Sequence, residues 1–350
     1  MMTSANTQTL EVTCGETPPS GWSEYLALNQ QSSLYHDAAW AELIRSCFGH
    51  RTFFLAAQDN GALRGILPLV YLKSRIFGKA LVSMPYFNYG GLLADDDAAV
   101  TELITSAVEL KRELGADYIE LRQSAKLPGN LPVKSHKVIM LLPLPSDPEA
   151  LWRGFKSKLR NKIRLPEKAG IKFHWGQSEL LNKFYAVFSE NMRDLGTPVY
   201  PKSFFKTILE SFPKFSYIAV AHLNSQPVAA GFLLGFRNKL EIPWGSSLRR
   251  YNRLYPNMLL YSGMLRQAIL EGFQVFDFGR STLDSGTYNF KQQWGADPGP
   301  TYWYYPGQNQ DQLPEHNPES ARFYWATQVW KHLPLVLTNR IGPAIVKNIP

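Results

Sequence analysis

Hydrophobic and polar positions along the chain fall into two long runs of the same order. The first holds FFLAAQDNGALRGILPLVYLKSR, then SMPYFNYGGLL, a helical stretch to Leu114, and GADYIELR. The second holds SYIAVAHLNSQPVAAGFLLGFRNKLEIPWGSSL, a helical stretch from Pro256, and GFQVFDFGR. Each predicts a strand, a tight turn, a second strand, a third strand closed by Pro and an aromatic residue, a helix, and a last strand ending in Arg. The turns are marked by Asp59-Asn60-Gly61 and Asn224-Ser225-Gln226, residue types suited to turn backbone. Pro85 to Arg122 and Pro243 to Arg280 both span 37 residues. Matched order and spacing predict a duplicated α/β (α+β) unit, with helices laid against mixed sheets.

A chain of 350 residues also exceeds what one hydrophobic core ordinarily fills. We expect an N-terminal tail over 1–21, a first domain over 22–146, a second over 147–308, and a linker and amphipathic C-terminal tail over 309–350. The second domain should open on a helix from Leu151 to Lys168, where Trp152, Phe155, Leu159 and Ile163 recur at helical spacing. Pro166 should kink or end it. A helix over Ser178 to Met192 should run into the Pro-constrained loop of NMRDLGTP. The tail FYWATQVWKHLPLVLTNRIGPAIVKNIP is aromatic and basic, and broken by Pro334 and Pro343.

Composition narrows the chemistry. Cys14 and Cys47 have no CxxC or Cys/His ligand spacing and the seven histidines are scattered, so neither a disulfide framework nor a metal site is expected. No GxGxxG opens a helix after a strand and no GxxxxGK[ST] occurs, which disfavours nicotinamide and P-loop chemistry. The N-terminus lacks a basic region followed by an apolar one, and no apolar run reaches the roughly 18 residues of a membrane span. A cytoplasmic location follows as the expectation. The net charge of +8 is concentrated: between Trp152 and Lys172 eight basic residues face the single Glu167. That segment points to an anionic partner.

Candidate site residues gather at strand and helix ends. In an open α/β sheet ligands collect beyond the carboxyl ends of strands, where Arg280 and Ser281 stand. Arg280 suits bidentate binding of phosphate or carboxylate, its structural alternative being a salt bridge to Asp277 or Asp284. Asp277, three positions before Arg280, faces Ile119 in the first repeat, so the carboxylate looks particular to the second copy and suits an attacking amine. A buried structural ion pair is the alternative. Lys291 lies between Phe290 and Trp294 on a short helix capped by Asp284, Ser285 or Thr287, and would bring a second positive charge to the same anion; a solvated lysine is the alternative. Asn191, Asp194, Thr197 and Tyr200 cluster at a helix end, where capping and turn chemistry is the alternative. Trp244 and Ser246 end the third strand, where backbone N–H groups can meet an oxyanion.

The series KLRNKIR (158–164), NMRDLGTPVYP (191–201), IPWGSS (242–247), PNMLLY (256–261) and FDFGRSTLDSGTYNFKQQWGA (276–296) resembles the FemAB-like branch of the GNAT superfamily. The closer likeness is to the subgroup found with exosortase/PEP-CTERM exopolysaccharide systems. It extends to SSLYHDAAW, SRIFGKALVSMPYFNYGG and the WKHLPL tail, and so covers nearly the whole chain. The resemblance implies a tandem GNAT-like (acyl-CoA N-acyltransferase) fold and amide-forming transfer of an acyl or aminoacyl group. The donor is open between acyl-coenzyme A and aminoacyl-tRNA, with no metal required. The acceptor implied is an anionic or lipid-linked glycan or peptide precursor of the envelope or exopolysaccharide. Asp277, Ser246 and Asp194 are the catalytic candidates. Lys158, Arg160, Arg164, Asn191, Thr197, Tyr200, Trp244, Asn257, Arg280, Ser281 and Lys291 are the substrate-binding ones. A non-catalytic protein holding polysaccharide intermediates, a tRNA-dependent peptidoglycan-type enzyme and a tRNA binder are the rivals. Residues 319–350 add an expected peripheral contact with the inner membrane face, since basic and apolar residues together bind interfaces.

Overall fold

The computed structural model describes residues 10–314 and 321–349. The chain forms two compact units, the first from residues 10–135, 300–314 and 348–349, the second from 136–299 and 321–347.

In the first unit the strands run in the spatial order Glu11–Gly15, Arg51–Asp59, Ala62–Ser74, Gly78–Val82, Tyr118–Gln123, Tyr302–Tyr304 and Val133–Lys134. The helix Asp97–Leu114 has apolar residues at Val100, Leu103, Ala107 and Leu110, so it presents one stripe. That stripe packs on Leu55, Leu67, Leu81 and Ile119 of the sheet. Its start is fixed by Asp96, whose carboxylate accepts from the Ala99 N–H, and its end by Gly115 at φ +58°. Helices Trp22–Leu28 and Ala39–Phe48 supply a separate cluster around Trp22, Phe54 and Ile66.

In the second unit the order is Asp297–Pro300, Lys137–Pro143, Val275–Thr282, Lys239–Ser247, Gln226–Phe236, Ser216–Leu223 and Ile171–Gly176. Helices Ser157–Lys168 and Pro256–Leu270 join one core through Leu159, Ile163, Met264 and Leu265. Helices Leu181–Leu195 and Lys202–Ser211 bring Phe184 and Phe205 against Phe232, with Phe188 packed on both.

The duplication is visible in the ladders. The third strand pairs parallel with the last in both units, over Ala80–Val82 with Tyr118–Glu120 and over Lys239–Glu241 with Val275–Asp277. The carboxylates Glu120 and Asp277 both stand at the final rung, which corrects the contrast of Asp277 with Ile119. An extra residue between Asp277 and Arg280 bulges the second copy, so equal counting back from Arg selects unequal positions.

Several elements depart from expectation, each for a long-range reason. The expected tail over 1–21 contains the strand Glu11–Gly15, paired with Arg51–Asp59, while residues 1–9 lie outside the described ones. Lys137–Pro143 pairs with Val275–Thr282, and Tyr302–Tyr304 pairs with Tyr118–Gln123, so the units divide at 135/136 and 299/300. The helix expected over Leu151–Lys168 is two, Pro148–Gly154 and Ser157–Lys168, separated where Phe155 turns extended and its ring meets Trp294. Pro166 does not stop the second helix, which continues to Lys168. Pro334 does separate the tail helices Ala321–His332 and Leu335–Val346, whereas Pro343 stays inside the latter. Residues 315–320 of the linker lie outside the described ones.

Candidate functional site

The last strand of the second unit, Val275–Thr282, is shaped by its bulge. Gly279 sits at φ +73°, a conformation open to glycine without penalty. Asp277 is fully buried; one carboxylate oxygen accepts from the Gly279 N–H at 2.8 Å and the other lies 3.4 Å from Lys239 Nζ. From the opposite side Lys291 Nζ donates to the carbonyls of Gly279 and Arg280, each at 3.0 Å. Ser285 caps the helix Gly286–Gln292 that carries this lysine, accepting from the Tyr288 N–H. Burial pushes Lys291 down to about 8, against the pull of the carboxylates of Asp277 and Glu241.

Both residues thus have structural partners. Asp277 is committed to its own strand and to Lys239, so it shapes the bulge from within the core. Lys291 directs donors at the backbone carbonyls of Gly279 and Arg280, while the Arg280 side chain is exposed. Ser281 is buried, and its hydroxyl has no hydrogen-bond partner among the described residues.

The third strand, Lys239–Ser247, holds the other half. Its parallel ladder to Val275–Thr282 stops at Glu241 opposite Asp277. It also carries one extra residue against Gln226–Phe236, where the register shifts between Phe232 and Leu234. Past Glu241 and Asp277 the two strands are no longer paired, which leaves a gap in the ladder. Tyr261, from the helix Pro256–Leu270, stacks on Phe278 at 5.5 Å and meets Phe290 edge-on at 5.0 Å. A Cβ on Gly245 would come within 3.1 Å of the Tyr261 hydroxyl, so the glycine leaves room for it. Burial raises Tyr261 to about 12, further above neutral pH than an ordinary tyrosine.

On the other face Asn191 Nδ2 donates to Ser246 Oγ at 3.1 Å. Trp244 packs edge-on against Tyr200 at 6.0 Å and Phe205 at 5.1 Å. Asn191, Ser246, Tyr200 and Trp244 therefore form one group. Asp194 pairs instead with adjacent Arg193 at 2.7 Å. Thr197 is exposed, and its N–H caps the Met192 carbonyl beside Gly196 at φ +79°. Asn257 lies half-buried in the first turn of the helix Pro256–Leu270.

The basic helix Ser157–Lys168 does not present its three candidates together. At about 100° per residue Lys158 lies roughly 160° around the axis from Arg160, whereas Arg160 and Arg164 share a face. The Arg164 guanidinium lies 5.4 Å over the Trp152 ring. Sequence reading missed Tyr261, Lys239 and Glu241, although small residues at Gly245 and Ser246 signalled a close approach to that strand. It also passed over Arg249, Arg250 and Arg253, exposed residues on the turn just before the helix at Pro256.

Two mixed sheets, each with a parallel third and last strand and flanking helices, define a tandem GNAT-like fold. Residues 153–292 match the family model described as an acetyltransferase (GNAT) domain. Among solved structures the chain is similar to FemX at 14% identity, with a TM-score of 0.63, 83% of this chain and 96% of that chain covered. It is similar to L-PGS from Bacillus licheniformis at 13% identity, with a TM-score of 0.55 and 91% and 98% covered. It is also similar to a tandem GNAT protein from the clavulanic acid biosynthesis pathway at 11% identity, with a TM-score of 0.55 and 86% and 100% covered. A search of curated proteins found no match.

Proposed function

We propose that the protein is a FemAB-like acyl- or aminoacyltransferase that forms an amide on an anionic envelope or exopolysaccharide precursor, of the PEP-CTERM-associated kind, at the inner face of the membrane. The observation that carries this is the gap in the ladder between Lys239–Ser247 and Val275–Thr282, with Tyr261 set against Gly245 of one strand and Phe278 of the other and an exposed arginine at its end. A donor carbonyl held in the gap would lie against the edge of a strand, where backbone N–H groups can meet the charge that develops on its oxygen. The acceptor amine attacks that carbonyl, a C–N bond forms, and the C–S or C–O bond to the donor breaks. Tyr261 can give its proton to the leaving thiolate or alkoxide, while the proton lost by the amine passes to solvent or to a base on the substrate. Arg280 and the Arg160–Arg164 face suit phosphate on the acceptor or donor. Asp277 and Lys291 serve by positioning the bulge from which Arg280 projects.

Donor consumption that depends on an amine acceptor is the test, run with acyl-coenzyme A and with aminoacyl-tRNA in parallel. Tyr261→Phe keeps the stack on Phe278 and should lower turnover by about 10²–10⁴-fold, the range for a lost general acid. Acceptor-independent binding of either donor, with no consumption, would instead make the chain a binding protein of this fold.

A further inference from the structure

The tail helices pack on the second unit with the wrong side outward for a protein surrounded only by water. In Leu335–Val346 the buried residues are Thr338, Gly342 and Val346, one strip at four-residue spacing. Val336, Leu337, Arg340, Ile341 and Ala344 are exposed, and at about 100° per residue they span roughly 140° of the opposite side. Val336 is 82% exposed. The preceding helix Ala321–His332 adds Trp325 at 69% and Val329 at 60%, one turn apart, while Trp330 packs inward. A narrow face of Thr338, Gly342 and Val346 turned in, with tryptophan and branched aliphatics turned out, marks a surface with a partner.

The charge on this segment selects the partner. From Ala321 to Ile349 the sequence has Arg322, Lys331, Arg340 and Lys347 and no Asp or Glu. Arg340 sits inside the exposed apolar strip, where a guanidinium beside inserted aliphatics meets an anionic headgroup. We infer that the exposed face of Trp325, Val329, Val336, Leu337 and Ile341, with Arg340, docks on an anionic lipid surface and presents the turn between Asn191 and Tyr200 to substrates held in that surface.

The second clause follows from what the tail touches. A Cβ on Gly196 would come within 2.2 Å of Thr327 Cγ2, and one on Gly342 within 2.9 Å of the Val199 backbone nitrogen. The tail therefore bears directly on the turn between Asn191, bonded to Ser246, and Tyr200, packed on Trp244. Docking itself stands on the exposed face alone; delivery of a lipid-linked acceptor rests on the transferase reading above.

Flotation of the full chain with vesicles tests it, using phosphatidylcholine alone against phosphatidylcholine with phosphatidylglycerol. The chain should float with the anionic vesicles at least ten-fold more than with neutral ones, and salt should weaken this without abolishing it. Trp325→Ser with Val336→Ser, and separately Arg340→Glu, should each lower flotation about ten-fold with thermal unfolding unchanged. Equal flotation of parent and variants overturns the inference, as does a Trp325→Ser and Val336→Ser change that converts a dimer to a monomer in light scattering. Flotation without any donor consumption keeps the docking face and sinks the transferase reading. Consumption with a soluble amine and no flotation does the reverse.

Discussion

Arg122 and Arg280 end matching strands, yet their surroundings give them opposite work. Arg122 is buried, donates from Nε and Nη2 to Glu120 Oε1 at 2.9 and 2.7 Å and from Nη1 to the Phe87 carbonyl at 2.6 Å, and lies 4.3 Å from the Trp303 ring centre. Tyr305 donates to the other Glu120 oxygen at 2.9 Å. That network consumes the guanidinium, whereas Arg280 is exposed. Arg122→Ala strands a buried carboxylate and should cost about 3–5 kcal/mol of stability in urea unfolding. Arg280→Ala should cost less than about 1 kcal/mol and instead weaken pyrophosphate binding in calorimetry. A stable Arg122→Ala protein with impaired anion binding would move the ligand arginine to the first unit. Arg280 as an exposed strand-end cation was legible in the sequence. The occupation of Arg122 was not, because Tyr305 and Trp303 lie more than 180 residues away and no local pattern announces them.

At the scale of the element, periodicity was a good guide and pairing a poor one. The helix Asp97–Leu114 and the strands either side of each turn follow from spacing alone, since the burial stripe and the turn residues are local. The bulge at Phe278–Gly279 is set by Lys137–Pro143, which no local signal identifies as a neighbour, so the supporting hydrogen bonds of Asp277 and Lys291 to it were not legible. The support role has a pH signature. Lys291 falls to about 8 in the fold from 10.5, so between those values the unfolded chain holds more protons and stability rises as pH climbs. Below about 8 the folded state holds the buried ammonium in charged form. Lys291→Met should therefore flatten the rise in urea midpoint between pH 8 and 10.5 relative to the parent. An unchanged slope would assign the titration to another group.

Whole-chain connectivity makes the strongest demand on the reading of two domains in series. In the first sheet Val133–Lys134 lies beside Tyr302–Tyr304, antiparallel, with Lys134 opposite Trp303. In the second, Lys137–Pro143 lies beside Asp297–Pro300. The chain thus leaves the first unit along one strand and returns along its neighbour, which makes residues 136–299 an insertion within a hairpin of the first unit. Ends this close can be rejoined by a short turn, since antiparallel neighbours need only a two-residue connection. A chain of residues 10–135 joined by Asn-Gly to 300–314 should fold, because Glu120 keeps Tyr305 and Arg122 keeps Trp303. A fragment stopped at residue 146, the boundary that linear reading suggests, loses both and leaves the buried pair of Glu120 and Arg122 incompletely satisfied. Circular dichroism and urea unfolding should show a cooperative transition for the rejoined chain and none, or one weaker by at least about 3 kcal/mol, for the 1–146 fragment. Equal stability of the two would mean that residues 300–314 contribute nothing to the first core.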